Sequence, residues 1–361
     1  MTDQIIDINE LKHDAETNVE VLALKRTIIG LQTELKTLQA DYGDLKGYFR
    51  DLDAVALSLK IPSIPNIYKP TEKDILVKTP CVVVLHWTDW HYGAVQEADE
   101  IEQSNQFSPE ILKQRIRNLC DDFIRWVAAL RKSYIIEECI VLDTGDNISG
   151  DIHHELQVTN AFPTPVQAFE CGVLKGEALA MLSPHFKKLR MEFIVPDNHS
   201  RLTKKPQSKQ QGLNSHNYVV GHVGKLVSSN QSNLEFNIHL PHVKVVEVST
   251  RKYLITHGHG VQSWMGIPYY GIERKIAKEA MGRLIGPDEN RFHKVIQGHY
   301  HAPLTHPYFW IGGSASGTDA FDHKCGRRSI PIQCAWVVHP VHAEFNRTDF
   351  LLREDKKGKR I

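Results

Sequence analysis

The chain has 361 residues, of which 41% are apolar and 24% charged, and its 43 lysines and arginines balance 43 aspartates and glutamates. This composition is typical of globular proteins and excludes a wholly disordered or collagen-like chain, and the length predicts more than one domain. No apolar run reaches the roughly 18 residues that a membrane-spanning helix needs, and the N-terminus shows no signal-peptide pattern. The six cysteines are scattered without a Cys-x-x-Cys pair, so we expect reduced thiols in a cytoplasmic protein that has no membrane partner.

A heptad repeat occupies residues 21–59. Its a positions are Val21, Ile28, Leu35, Tyr42, Phe49 and Ala56, and its d positions are Leu24, Leu31, Leu38, Leu45, Leu52 and Leu59. Leucine at every d position predicts a helix over residues 1–60 that forms a coiled coil and holds subunits together. The alternative is a long amphipathic helix that packs on its own chain. Three prolines within residues 61–70 predict a semi-rigid linker after this helix.

Beyond the linker, short apolar stretches alternate with helical stretches. We expect strands near residues 81–85, 139–142, 193–195, 243–248, 253–256 and 294–296, and helices near residues 109–132, 164–189 and 271–284. This alternation predicts a layered α/β domain over residues 71–350, followed by a basic tail at residues 351–361.

Acidic, amide or histidine side chains follow five of these strands. They are Asp89 and His91, Asp146, Asn198 and His199, His257, and His299 and His301. Ligands of open α/β sheets bind beyond the carboxyl ends of the strands, so these side chains predict one shared site. Each cluster alone is a weak signal, but the ordered set of oxygen and imidazole ligands without cysteine favours a divalent ion such as Mn, Fe or Zn.

The set Asp-x-His, Gly-Asp, Asn-His, His-Gly-His and Gly-His-x-His resembles the motifs of the calcineurin-like metallophosphoesterases, over roughly residues 78–315. The resemblance implies a two-sheet α/β sandwich flanked by helices and two divalent metal ions, with manganese as the first choice and Mg, Fe or Zn as the others. It assigns metal one to Asp89, His91, Asp146 and His301, and metal two to Asp146, Asn198, His257 and His299. It also implies that His199 protonates the leaving oxygen or stabilises the charge that develops there. Arg201 is a candidate to hold a phosphate oxygen.

Two positions depart from the family pattern. Asp197 stands where the family usually has glycine, and its carboxylate is expected near the metals. It either repels the incoming phosphate and silences the site, or turns outward and bonds its own loop harmlessly. Ser149 replaces the later acid of the second motif, so His153 and His154 either line the entrance of the site or belong to a solvated loop.

The pattern looks most like the nuclease-leaning branch of the family, which includes the bacterial SbcD-type subunit and phage-encoded phosphoesterases. Residues 201–234 carry five basic side chains and no acid, which fits a polyanionic substrate, although a solvated loop is the simpler explanation of that run alone. We therefore interpret the chain as a two-metal phosphoesterase that hydrolyses phosphodiester bonds, foremost as a DNA nuclease with nucleic acid as its substrate. The alternatives are a phosphomonoesterase or phosphodiesterase for small substrates, and a catalytically weakened module that binds phosphate or nucleic acid.

Overall fold

The fold is described from a computed structural model. It describes residues 21–40 except 24, 28 and 38, and residues 78–354 except 104, 262–267 and 327. The chain divides into two units, Met1–Pro70 and Thr71–Ile361. The heptad positions beyond residue 40, the predicted linker and the last seven residues lie outside the described residues.

The first unit contributes a helix. All of its described residues between 21 and 40 are helical and exposed. The apolar side chains of Val21, Leu31 and Leu35, which occupy a and d positions, are 41%, 59% and 56% exposed. Exposed apolar side chains of this kind favour association. The coiled coil itself stays a prediction of the sequence.

Removal of residues 1–70 is expected to lower the oligomeric state and to leave turnover per site largely unchanged. The a and d seam would then be absent, while the elements that carry the candidate site all lie in the second unit. Light scattering of a chain that begins at Thr71 measures the first effect. An unchanged oligomer number would show that the heptad packs within its own chain.

The second unit contains eleven described strands in two sheets. The strands are β1 Thr79–Trp87, β2 Tyr134–Asp143, β3 Lys188–Ile194, β4 Leu234–His239, β5 Lys244–Val248, β6 Arg251–Ile255, β7 Lys294–Gln297, β8 Leu304–Thr305, β9 Phe309–Ile311, β10 Ile332–His339 and β11 Ala343–Leu351. The first sheet has the order β11-β10-β1-β2-β3-β4, and the second has the order β5-β6-β7-β9-β8.

Parallel pairing brings the strand ends of each sheet to a common edge. In the first sheet β1 is parallel to β2 and β2 to β3, and in the second sheet β6 is parallel to β7. The carboxyl ends of β1, β2 and β3 therefore lie side by side, as do those of β6 and β7. These five ends precede the five side-chain clusters that the sequence singles out.

The described helices of the second unit flank its sheets. They are α1 Pro109–Leu130, α2 Leu156–Thr159, α3 Thr164–Leu182, α4 Asn217–Val227, α5 Tyr269–Arg283 and α6 Ala320–Lys324. Ser108 caps α1, since its side chain accepts a hydrogen bond from the amide of Ile111 at 3.3 Å, and proline stands at the first position of the helix. Among the described residues, no helix has the length and apolar character that crossing a membrane requires.

Alternation along the strands builds separate apolar layers. In β1, Val83 and Leu85 pack into the core beside α1 and α3, whereas Val84 packs between the two sheets. In β6, Tyr253 faces the first sheet, and Leu254 faces a third core that includes Ile272 of α5. Because successive strand residues point to opposite faces, each sheet buries both of its faces. This layering confirms the predicted two-sheet α/β sandwich with flanking helices.

The boundaries predicted for one helix and for the strand that follows it are wrong. The helix predicted over residues 164–189 ends at Leu182, where the Ser183–His185 3-10 turn begins, and Pro184 in this turn has no amide hydrogen with which to continue the helix. The strand predicted at 193–195 accordingly begins earlier, at Lys188.

Two further stretches are more ordered than the sequence predicts. The basic stretch 201–234 contains α4, so it is not simply a solvated loop. The fold also extends past residue 350, since β11 reaches Leu351, Leu352 is buried, and Glu354 pairs with buried Arg115 at 2.7 Å. The predicted boundary between domain and tail therefore falls inside a strand.

Candidate metal centre

The loops after β1 and β2 run side by side. The amide of Asp89 donates to the carbonyl of Gly145 at 3.0 Å, and the amide of His91 donates to the carbonyl of Asp146 at 3.0 Å. These bonds continue the pairing of β1 with β2 beyond the regular sheet. They bring the side chains of Asp89, His91 and Asp146 to the same edge.

Five of the predicted ligands have backbone torsions in the left-handed region. Their φ angles are 52° for Asp89, 47° for His91, 48° for Asp146, 74° for His299 and 60° for His301. This conformation costs a residue with a side chain about 1–2 kcal/mol. Backbone strain of this kind collects at functional sites, where the surrounding structure must enforce it.

The first group of ligand atoms belongs to Asp89, His91 and His301. One ligand atom from each lies within 4.8 Å of the others. The Nε2 atoms of His91 and His301 are 3.0 Å apart, and they lie 3.9 and 3.6 Å from Oδ1 of Asp89. This is the set assigned to metal one, apart from Asp146.

The second group belongs to Asp146, His257 and His299. Nε2 of His257 lies 3.0 Å from Oδ2 of Asp146 and 2.8 Å from Oδ1 of Asn198. Asp146 also forms a cluster with His91 and His199, so its carboxylate lies between the two groups. The structure thus brings all seven predicted ligands together, with Asp146 in the bridging place.

A close approach between Gly298 and Asp89 joins the two sheets at the site. A Cβ atom at Gly298 would clash with the side-chain oxygens of Thr88 and Asp89. The amide of His299 donates to both carboxylate oxygens of Asp89, at 3.1 and 3.0 Å. Glycine at 298 therefore allows the loop that carries His299 and His301 to lie against the loop that carries Asp89.

Hydrogen bonds to Nδ1 orient several of the imidazoles. Nδ1 of His257 donates to the carbonyl of Thr144 at 2.9 Å, and Nδ1 of His199 donates to the carbonyl of Ser149 at 2.7 Å. Nδ1 of His301 bonds Oδ2 of Asp322 at 2.8 Å. Because these partners occupy Nδ1, they leave Nε2 directed at the cluster, which is the usual arrangement of histidine ligands.

Electrostatics favour the metal-binding forms of several groups. Burial and the neighbouring charge of His199 hold the pKa of His91 well below its usual value, and burial with the charge of His257 lowers the pKa of His299 to about 3. Burial alone raises the pKa of Asp146, but the charges of His257 and His199 hold it well below its usual range. Neutral imidazoles and an ionised bridging carboxylate are the forms that coordinate cations.

The pKa values of two histidines are raised rather than lowered. Burial lowers the pKa of His257, but the charge and hydrogen bond of Asp146 outweigh burial and raise it to about 9. The pKa of His301 is likewise raised to about 9, because the hydrogen bond that its Nδ1 donates to Asp322 and the charge of Asp89 outweigh burial. Both shifts reflect the negative charge that the carboxylates of Asp89, Asp146 and Asp322 place around these two imidazoles.

Asp197 is buried and turned into the protein, so the expectation that it turns outward is wrong. Its Oδ2 accepts hydrogen bonds from the amide of Asp146 at 2.7 Å and from the side chain of Asn217. Its Oδ1 accepts from the amide of Ser200 at 2.8 Å and from the Ser200 hydroxyl. Burial and the charge of Asp146 raise its pKa to about 6. The carboxylate thus bonds its own loop, as one of the two interpretations requires, and it also holds the Asp146 backbone.

The two residues with predicted catalytic roles differ in their surroundings. Nε2 of His199 lies 3.9 Å from Oδ2 of Asp146, and the ring of His153 lies 5.9 Å from the His199 ring, at the same side of the cluster. Arg201 donates instead to the backbone carbonyls of Thr203 and Lys204, both at 2.9 Å. His199 therefore adjoins the ligands, whereas Arg201 is bonded to its own loop.

No protein-family model matches the sequence, and no curated protein does. Among solved structures, the chain is similar to Vps29 from Entamoeba histolytica, complexed with Zn, at 13% identity and a TM-score of 0.28, covering 75% of this chain and 99% of that one. Vps29 from Chaetomium thermophilum is 11% identical with a TM-score of 0.28, covering 75% and 100%. Purple acid phosphatase PPD1 from yellow lupin seeds is 9% identical with a TM-score of 0.30, covering 76% and 54%. Likenesses this distant carry no argument about activity.

Three contributors to the site escape sequence reasoning. Asp322 of α6 orients His301, Asn217 at the start of α4 bonds Asp197, and Gln333 of β10 bonds both the amide and the carbonyl of Thr88. All three lie far along the chain from the residues they support. No local pattern marks them, because they act through contacts that only the fold creates.

Proposed function

We propose that the chain is a two-metal phosphoesterase that hydrolyses phosphodiester bonds. The observation that carries the proposal is the position of Asp146, whose carboxylate lies between Asp89, His91 and His301 on one side and Asn198, His257 and His299 on the other. A bridging carboxylate between two sets of imidazole and oxygen ligands is the arrangement that a dinuclear hydrolytic site needs.

The donor set fits divalent ions. Its atoms are carboxylate and amide oxygens and imidazole nitrogens, all from buried or half-buried side chains, and the six cysteines take no part in it. The Nε2 atoms of His91 and His301, 3.0 Å apart, both lie beside Asp89, so one cation could accept both. Such a set suits Mn, Fe or Zn, of which we propose manganese first.

The mechanism assigns separate tasks to the residues of the chain. When bound, two divalent ions would neutralise charge on the phosphate and lower the pKa of a shared water. Asp89 and Asp146 would supply the negative charge that retains the ions, and imidazole nitrogens would complete each set. His199, fixed through Nδ1 to the carbonyl of Ser149, presents Nε2 to the leaving oxygen, where it donates a proton or a hydrogen bond.

For the substrate we propose DNA, and hence a nuclease. Lys204, Lys205 and Lys209 lie exposed on the segment that follows Asn198 and His199, and no acid lies between residues 201 and 234. A cluster of exposed cations next to a hydrolytic centre attracts a phosphate backbone. Turnover of single- and double-stranded DNA beside bis(p-nitrophenyl) phosphate, with Mn, Mg and Zn in turn, tests the substrate directly.

Neutralisation of Lys204, Lys205 and Lys209 together is expected to weaken DNA binding uniformly across sequences. The salt dependence should become shallower, by up to about 0.9 in the log-log slope for each lost phosphate contact. Turnover of the small diester should stay near the wild-type value. A matched control neutralises Lys132, Lys187 and Lys188. These lysines are exposed near the amino-terminal ends of β2 and β3, whereas the metal centre lies at the carboxyl ends of these strands. Equal losses in both triple variants would contradict a DNA path along residues 201–234.

A cleft beside the metal centre supports a small phosphate ester as the second candidate substrate. This small cleft is lined by Asp197, Arg201, Thr203, Pro206, Gln207, Gln211, Asn214 and His259. Its amide side chains, from Gln207, Gln211 and Asn214, suit a polar leaving group. A kcat/KM that is far higher for a small ester than for DNA would favour this candidate.

A further inference from the structure

A buried ion pair lies directly behind the metal centre. Nζ of Lys175, in α3, is 2.5 Å from Oδ2 of Asp143, at the end of β2, and neither side chain is exposed to solvent. The proposed reaction does not use either residue. A buried pair of this kind is weak evidence for stability, because apolar residues of similar volume often replace such pairs without loss.

Asp143 holds the turn that presents Asp146. Its Oδ1 accepts hydrogen bonds from the amide of Gly145 and from the side chain of Asn147, both at 3.1 Å. These partners are the two chain neighbours of Asp146. The carboxylate of Asp143 therefore constrains the backbone on both sides of the bridging ligand, whose φ of 48° needs such support.

The same ammonium contacts the loop that carries Asp89 and His91. Nζ of Lys175 lies 3.5 Å from the ring centroid of Trp90, which stands between those two ligands, and 5.3 Å from that of Trp87. An ammonium over an indole face is attracted by the negative face of the ring, most strongly where water is excluded. Lys175 thus contacts one ligand loop through an indole and the other through Asp143.

We propose that Lys175 is a positioning residue for the metal centre, which locks the loop of Asp89 and His91 against the turn of Asp146. This inference rests on the proposed metal site and adds a residue to its support. Loss of the ammonium would leave Asp143 unpaired and Trp90 free to shift, and both changes would move ligands of metal one. Loss of such supporting partners typically weakens metal binding by about tenfold to a hundredfold.

The test is Lys175→Met in the full chain, which keeps most of the length of the side chain and removes its charge. Binding of Mn²⁺ alone, followed by electron paramagnetic resonance, is expected to weaken by about tenfold or more. Leu179→Ala is the matched control, because Leu179 lies one turn later in α3 and is fully buried in the apolar core, so its truncation lowers stability without removing a charge. The control should lower the melting temperature without a comparable loss of Mn²⁺ affinity.

A second variant removes both charges, Asp143→Asn with Lys175→Met, so that no buried charge is left unpaired if the single variant fails to fold. It is expected to fold and still to bind Mn²⁺ about tenfold more weakly than the wild type. Wild-type affinity in either variant, or an equal loss in Leu179→Ala, would overturn the positioning role. Failure of the wild type itself to bind Mn²⁺ would instead overturn the proposed function, so the two failures are distinguishable.

Discussion

Asp146→Asn is expected to lose both metal ions and to lower kcat/KM by about 10³-fold, which corresponds to about 4 kcal/mol of transition-state stabilisation. Asp146 is the residue that the two ligand groups share, and its Oδ2 also lies 3.0 Å from Nε2 of His257. An amide has the same shape as the carboxylate but no charge, so it would leave the cations without their central counter-charge. Metal content of the purified variant and its turnover of bis(p-nitrophenyl) phosphate measure the two effects.

Asp151→Asn is the matched control for this experiment. Asp151 lies in the same loop, is exposed, and belongs to neither ligand group. The same chemical change there should leave metal content and turnover near the wild-type values. Two bound ions and normal turnover in Asp146→Asn would show that the site is assigned to the wrong residues.

Asp197→Gly introduces the residue that is usual at this position in the calcineurin-like metallophosphoesterases, whose motifs the chain resembles. It is expected to lower kcat/KM about tenfold rather than raise it, which corresponds to a loss of about 1.4 kcal/mol of transition-state stabilisation. The Asp197 carboxylate accepts hydrogen bonds from Asp146, Ser200 and Asn217, so glycine would leave three buried partners unsatisfied. Each such group costs about 1–3 kcal/mol, so the melting temperature should fall as well. Steady-state kinetics and thermal unfolding of the variant provide the measurements.

The opposite outcome would support the silencing hypothesis. If the carboxylate repels the incoming phosphate, its removal should raise kcat/KM by about tenfold or more with unchanged metal content. Asp197→Asn is a useful companion, because it removes the charge and keeps most of the hydrogen-bonding shape. Rising activity in both variants would identify repulsion as the dominant effect of Asp197.

The sequence predicts the ligands because side chains that can bind metals directly follow apolar strands, and the pairing of the strands brings their ends together. Asp89, Asp146 and His257 each follow an apolar strand, and parallel pairing then carries them to a common edge. The pairing partners of β10 are harder to predict. This strand is buried along its whole length and pairs with β1 at positions such as Val84 and Trp336, which are far apart in sequence. Local periodicity carries no information about such neighbours.

The helix α4 escapes prediction for a local reason. It contains Gly221 and Gly224, each of which lowers helix propensity by about 1 kcal/mol relative to alanine. A Cβ atom at Gly221 would lie only 3.1 Å from the Phe193 ring, so packing against β3 requires the residue that propensity disfavours. Tertiary contacts override the local preference here.

The supporting residues of the site were beyond the reach of the sequence. Lys175 lies in the middle of a helix and Asp143 ends a strand, and their separation of 32 positions gives no sign that they pair. A lysine in a helix ordinarily lies on a solvated face. Only the packing of α3 against the first sheet places this ammonium beneath Trp90.

Titration of the metal-free full chain with Mn²⁺, while hydrolysis of bis(p-nitrophenyl) phosphate is followed, tests the two-metal assignment most directly. Asp146 shared between two ligand groups predicts that turnover rises as two equivalents of Mn²⁺ bind and reaches its full value only when both are bound. Two bound ions without hydrolysis of any phosphate ester, or full turnover with a single equivalent, would contradict a two-metal phosphoesterase.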